Sequence, residues 1–213
     1  MATMKQYSSC AALLVDQVES RLSDRAATHP RILAAIAATN EAIPPLDALR
    51  VTVGDELQGI YATLGDALAA SYRIRTELFG HAELRFGIGI GDVEVIDRER
   101  GIQDGSAWWR AREAIEEVEA LASDSGAAGL RTGIRDERED ANPLTISTVR
   151  LIDANIFRLR AGAREALASL LAGLDNQTAA KRAGITPSAN SQRIINNDLR
   201  ILAEAVHALA WLP

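Results

Sequence analysis

The chain predicts an α+β fold: an antiparallel sheet of the split βαβ kind, with helices on one face, followed by an all-α segment. Three observations carry this. First, short apolar runs of strand length (11–15, 51–53, 84–91) are interleaved with stretches of helical period throughout residues 1–143. Second, from residue 144 onward only the helical period remains. Third, the charge changes at the same place. Residues 144–213 hold eight Lys and Arg against five Asp and Glu, net +3, which leaves 15 against 24, net −9, in residues 1–143. Two domains are therefore expected, 1–143 and 144–213, with different partners.

The elements follow in order. Ala11–Val15 is an apolar run ending in Asp16, a buried strand with a carboxylate at its C-terminal end. A helix over about 29–42 places Ile32, Leu33, Ile36 and Ala37 on one face, has Pro30 near its start, and ends before Pro44-Pro45. Arg50–Gly59 reads as two strands joined at Gly54-Asp55, a pair able to adopt the positive φ that a hairpin tip needs. It would hold Asp55 at a sheet end with Glu56 beside it. A second helix, about 63–79, has Leu64, Leu68, Tyr72 and Leu78 as its stripe.

Leu84–Gly91 alternates strictly: Leu84, Phe86, Ile88 and Ile90 on one face, Gly87, Gly89 and Gly91 on the other. Glycine weakens a strand, so three in alternation call either for a closely packed helix or for a ligand at the backbone; close packing is the commoner cause. Asp92–Ile96 extends this strand or forms another, and 98–105 is a charged loop. A helix over about 106–123 has Ser106 as its candidate cap. A short strand near 129–134 precedes a linker ending at Pro143. In the tail, helical period runs from Thr145 to Leu174 with Gly162 as a bend. Asn176–Ala183 is a short helix, and a last helix extends from Pro187 to about Trp211.

Composition limits the function classes. At 47% hydrophobic but only 4% aromatic, the core must be built from Ala, Leu, Ile and Val. The sequence carries no apolar run of membrane-spanning length. The first ten residues lack the apolar centre of a signal peptide. The single cysteine, Cys10, cannot form an internal disulfide. Cytoplasmic residence, with no membrane partner, is the expectation. His29, His81 and His207 have no zinc spacing, and neither a phosphate-binding glycine loop nor a Gly-x-Ser-x-Gly nucleophile is present.

The most specific local signal is in the tail, over about 176–200. Gly184 closes one helix, Ile185 is an apolar plug, Thr186 caps the next helix and Pro187 takes its first position. This is the spacing of a helix-turn-helix. Ser188, Asn190, Ser191 and Arg193 would lie in the first turns of the second helix, where recognition helices meet base edges, and Lys181 and Arg182 could meet phosphate. Ile194 and Leu199 are expected to face inward. The unit resembles the helix-turn-helix of bacterial regulators and of the last region of sigma factors. The other reading is a helical bundle used only for packing or dimerisation.

The front half also carries a resemblance. The blocks V-D-Q-V-E-S-R at 15–21, V-G-D-E-L-Q-G at 53–59, R-F-G-I-G-I-G-D at 85–92 and D-G-S-A-W-W-R-A-R at 104–112 resemble, in order, those of the SatD family of bacterial proteins. More distantly, the chain is similar to class III nucleotidyl cyclases, a resemblance that implies a ferredoxin-like, cyclase-like sheet. Those enzymes place one aspartate after the first strand and another at a Gly-Asp hairpin turn. The matching positions, Asp16 and Asp55, would hold Mg²⁺ or Mn²⁺ together with a nucleotide. Ser20, Gly54, Trp109, Arg110 and Arg112 are the candidate nucleotide contacts. Arg110 and Arg112 could equally pair with Glu113 and Glu116 on the helix surface; Trp108 and Trp109 could stack on a base, but a Trp on an amphipathic helix is more often core. Glu19 departs from the cyclase pattern, since it adds negative charge where phosphate would sit. The main expectation is a DNA-binding transcriptional regulator, working as a homodimer, with a nucleotide- or metal-sensing front domain. The alternatives are a metal-dependent nucleotidyl cyclase or transferase, and a dimeric interaction module that does not bind DNA.

Overall fold

The computed structural model describes residues 6–18, 25–52, 54 and 56–213, with 25–27 by backbone alone. The first six elements are β1 (Gln6–Gln17), α1 (Arg25–Ala42), β2 (Asp47–Val51), β3 (Leu57–Tyr61), α2 (Leu64–Glu77) and β4 (Leu84–Asp97). Their strands lie in the order β2-β3-β1-β4, and every pairing among them is antiparallel. This is the split βαβ arrangement expected from the sequence. β5 (Ile102–Asp104) continues the edge as an antiparallel partner of β4. β6 (Thr132–Arg135) then pairs with β4 in parallel, so the sheet is mixed and not wholly antiparallel. A parallel neighbour needs a crossover, and α3 (Ser106–Ala122) supplies it.

Helices cover both faces of the sheet, a correction to the one-sided layer expected. On one face α1 and α2 pack over Leu13, Val15, Phe86, Ile88 and Ile90. On the other, α3 lies on Cys10, Ala12, Leu14 and Val93. The glycines of β4 explain how near it comes. A Cβ at Gly87 would stand 2.3 Å from the carbonyl oxygen of Ala111, and one at Gly89 would stand 2.2 Å from that of Ala107. Close helix packing is therefore what the alternating glycines serve. Cys10 is sealed under the same helix, and burial pushes its thiol up to about 11.

Local detail departs from expectation at several points. Gly105, with φ of 133°, stands at the head of α3, and the Ser106 hydroxyl instead accepts from the Asp92 amide at 3.0 Å. Pro30 falls inside α1 because the helix begins earlier than its sequence signals imply.

The tail forms five helices: α4 (Leu144–Arg158), α5 (Ala161–Leu171), α6 (Asn176–Arg182), α7 (Pro187–Asn196) and α8 (Leu199–Leu209). The break after α4 comes at Leu159, whose backbone is extended, and not at Gly162. Gly162 lies inside α5, where its missing side chain leaves room for the Arg193 guanidinium. The single last helix expected is divided in two. Asn197 ends α7, and Asp198 takes a left-handed conformation (φ 50°) before α8. These helices are not a separately packed all-α unit: Val149, Ile156, Leu167, Leu199 and Val206 belong to one apolar cluster with the α1/α2 face of the sheet. Among the described residues no helix is long and apolar enough to cross a membrane.

One buried ion pair ties this layer together. Arg75 on α2 and Asp153 on α4, 3% and 0% exposed, meet at 2.5 Å. The other Asp153 oxygen accepts from the amides of Arg131 and Thr132, each at 2.8 Å, and so fixes the start of β6. Removing one partner strands the other charge in the core. Asp153→Ala is therefore expected to cost about 3–5 kcal/mol, measured as a lowered urea midpoint, whereas Asp97→Ala at the end of β4, whose ion partner Arg100 is exposed, lowers that midpoint far less.

Candidate functional site

The strand register brings the first candidate site to one rim of the sheet. Val15 on β1 and Val51 on β2 both pair with Leu57 on β3. Continuing by one residue sets Asp16 opposite Glu56, at the end where the 52–56 hairpin turns. Within that hairpin the Thr52 amide donates to the Glu56 carbonyl at 2.9 Å, and Gly54 has the positive φ expected, 73°. Asp55, Ser20 and Glu19 lie outside the described residues.

Arginines occupy this rim alongside the acids. The Asp16 carboxylate, 40% exposed, lies 3.3 Å from Nη1 of Arg85, which is itself 2.9 Å from Glu119 at the far end of α3. Arg112 reaches across from α3 to Glu56 at 2.6 Å, and the Gln58 amide donates to the same carboxylate at 3.0 Å. Arg85 was not among the sequence candidates. Its signal was being the only charge in the L-R-F-G-I-G-I-G alternation, next to the strand that ends in Asp16.

The remaining nucleotide candidates are engaged elsewhere. The Trp109 indole N–H donates to Asp104 at 2.8 Å, leaving the ring 61% exposed near the head of α3. Arg110 donates to the Ile90 carbonyl at 2.6 Å and pairs with Glu137. Trp108 is partly buried against the α3 core.

A divalent ion would need oxygen donors without a fixed cation in the way. Among the described residues, no three His, Cys, Asp or Glu side chains lie close enough to hold a metal by themselves. The rim nevertheless fits Mg²⁺ or Mn²⁺ in its chemistry. It offers carboxylate oxygen at Asp16 and Glu56, and each carboxylate has a guanidinium beside it that a divalent ion could replace.

The tail candidates separate into two groups. Asp175 caps α6 through the amides of Gln177 and Thr178. Gly184 has φ of 65°, and the Thr186 hydroxyl caps α7 by accepting from Ala189. The caps and the short turn between α6 and α7 thus follow their sequence signals. Lys181, Arg182 and Ser188 are exposed. Asn190, however, is 1% exposed and donates to the Asn176 side chain at 2.9 Å. Asn176 in turn donates to Ser191 Oγ at 3.1 Å and to the Pro187 carbonyl at 3.0 Å. Arg193 lies over Gly162. Asn190 and Ser191, expected to read bases, therefore join α6 to α7, and Arg193 lies against α5.

The architecture defines an α+β protein with a split βαβ sheet, an acidic and arginine-lined rim, and five helices closing over one face. The SatD family model matches residues 12–208, and the chain belongs to the SatD family. No curated protein matches it. Among solved structures it is similar to the catalytic core of a rhodopsin-guanylyl cyclase with converted specificity in complex with ATPalphaS (18% identity, TM-score 0.43, covering 55% of this chain and 76% of that one). It is similar also to the monomeric guanylyl cyclase domain of the RhoGC fusion protein from the aquatic fungus Blastocladiella emersonii (16%, 0.42, 53% and 77%). A bacterial light-regulated adenylyl cyclase is a third (14%, 0.46, 56% and 42%).

If the Asn176–Asn190–Ser191 bonds lock α6 to α7, Asn190→Ala lowers stability by about 1–3 kcal/mol. Thermal denaturation followed by circular dichroism measures this, and an unchanged transition would refute the lock.

Proposed function

We propose that this SatD-family chain binds a nucleoside triphosphate with Mg²⁺ or Mn²⁺ at the rim made by Asp16 and the 52–56 hairpin, as a site of nucleotidyl-cyclase type. The observation that supports this above the others is the register: β1 and the hairpin end together, because Val15 and Val51 share Leu57 as their partner. Asp16 and Asp55 would hold the ions. When bound, such ions polarise phosphate oxygens and activate a 3′-hydroxyl for transfer.

The chain's own groups supply the rest. Arg85 and Arg112 neutralise the rim acids in the free protein, and would turn to phosphate oxygens once the ions take the carboxylates. Gly54 would admit a phosphate to the backbone, since among the described residues no atom beyond its chain neighbours lies within 4 Å of where its side chain would begin. Ser20 follows β1 and is assigned to phosphate. Trp109 and Arg110 are left out of the set because their polar groups are bonded to Asp104, Ile90 and Glu137.

Calorimetric titration of the full chain with each NTP, with and without MnCl₂, tests the site. Metal-dependent binding should weaken about 10–100-fold in Asp16→Asn and in Asp55→Asn and persist in Asp97→Asn. Binding that ignores both rim substitutions rules the site out. Assay of the same mixtures for cyclic nucleotide and pyrophosphate separates turnover from binding alone.

A second reading is DNA binding by a homodimer through the tail. It is favoured by the exposure of Lys181, Arg182 and Ser188 beside a correctly capped α6–α7 turn. Ile195 and Ile201, 66% and 67% exposed, offer apolar surface for a second copy. Phosphate contact by the two cations implies that Lys181→Ala with Arg182→Ala reduces the slope of log affinity against log salt by about 2. Fluorescence anisotropy on duplex DNA measures that slope; no salt-sensitive binding by the unaltered chain eliminates this reading.

A further inference from the structure

A cavity of about 630 Å³ lies between α2, α5 and α8, walled by both halves of the chain, and none of its lining residues belongs to the Asp16 rim. The volume is that of a small-molecule site. Ala69, Phe79, Ala168 and Val206 contribute apolar wall. Tyr72 lines it too; its phenol is kept neutral by burial first and by Asp153 second.

The charged lining is unbalanced. Among the described lining residues, three arginines (Arg73, Arg164 and Arg182) stand with two carboxylates (Glu77 and Glu165) and two histidines (His81 and His207). Arg73 is matched by Glu77 at 2.9 Å. Arg164 has no such match. Its carboxylate neighbour is Glu83, 3.6 Å away, and Glu83 also serves Arg131 at 3.2 Å and Arg75 at 3.6 Å. Behind the wall, Arg75, Arg131 and Arg164 thus share two carboxylates, Glu83 and Asp153. The surplus positive charge is shared by Arg164 and the exposed Arg182. Of the two, Arg164 is the more enclosed: it donates to the Phe157 carbonyl at 3.2 Å, its guanidinium stacks over the Phe79 ring at 5.7 Å, and its Nε–H has no acceptor among the described residues.

We propose that this cavity binds a small aromatic or apolar carboxylate, with the carboxylate at Arg164 and the apolar body between Phe79 and Ala168. A single surplus charge matches a monoanion. The planar guanidinium fork suits a carboxylate, and the apolar wall gains by covering the body. Because α2 forms one wall and α5 and α8 the other, the ligand bridges the sheet's helical layer and the tail.

The test uses 2-naphthoate as probe, its neutral isostere 2-naphthamide, and 2-naphthyl phosphate, each titrated into the ¹⁵N-labelled full chain. The expected result is saturable amide shifts at Ala69, Phe79 and Ala168 with 2-naphthoate, with neither the amide nor the phosphate ester binding more tightly. Arg164→Gln should weaken 2-naphthoate about 10–100-fold and bring it to the level of 2-naphthamide. Ala168→Trp, which fills the cavity one helical turn from Arg164 and removes no charge, should abolish the shifts while thermal denaturation stays cooperative. If Arg164→Gln fails to fold, Ala168→Trp decides alone. The proposal is overturned by shifts that are absent, that map elsewhere, or that survive Ala168→Trp. Equal binding of naphthoate and naphthamide to the unaltered chain, or tighter binding of the phosphate ester, also overturns it.

Discussion

The contact on which the rest of the molecule depends is the Arg75–Asp153 ion pair. Taking two charges out of water costs several kcal/mol for each ion, and attraction repays this only when the remaining hydrogen-bonding capacity is also met. Asp153 meets it through two backbone amides at the head of β6. That arrangement makes one carboxylate answer for three elements. It docks α4 on α2, and it pins the start of β6 where Thr132 pairs with Phe86. An apolar contact could supply similar energy but would tolerate sliding. A charge bonded on both oxygens does not, so the pair sets the position of the parallel strand and of the helices that follow it.

The opposite face is governed by an absence of atoms. Gly87, Gly89 and Gly91 let the α3 backbone approach β4 so closely that any Cβ there would overlap it. The approach has consequences at the rim. It carries Glu119 to Arg85 and Arg112 to Glu56, so the guanidiniums beside the rim acids are set by helix packing and not by the hairpin itself.

The tail shows where reading by motif and reading by phase diverge. Cap residues reported the helix ends well, because Thr186, Pro187 and Gly184 act through local backbone chemistry. Orientation was a different matter. Ile194 was expected to face inward, and Asn190 lies four residues before it on the same helix face, yet Asn190 was assigned outward because recognition helices carry such residues. The buried amide bonded to Asn176 is what the phase required. The same logic would have found the central ion pair. Arg75 follows Leu64, Leu68 and Tyr72 on one stripe, and Asp153 lies between Ile152 and Ile156, so both charges sit where only a partnered charge can remain.

From the residues alone came the α+β character, the split βαβ order, the glycine-faced strand under a helix, the SatD resemblance and the short turn between α6 and α7. The SatD resemblance rests on four blocks of sequence; the others rest on periodicity or on local conformational preference, which neighbouring residues carry in themselves. Only the folded chain decided that β6 runs parallel to β4, that helices cover both faces, that the tail shares the sheet's core, and that a cavity opens at their seam. Those features depend on which distant surfaces meet: Arg75 finds Asp153 across 78 positions of sequence. No local pattern specifies such a partner, because its energy exists only once both charges have left water together.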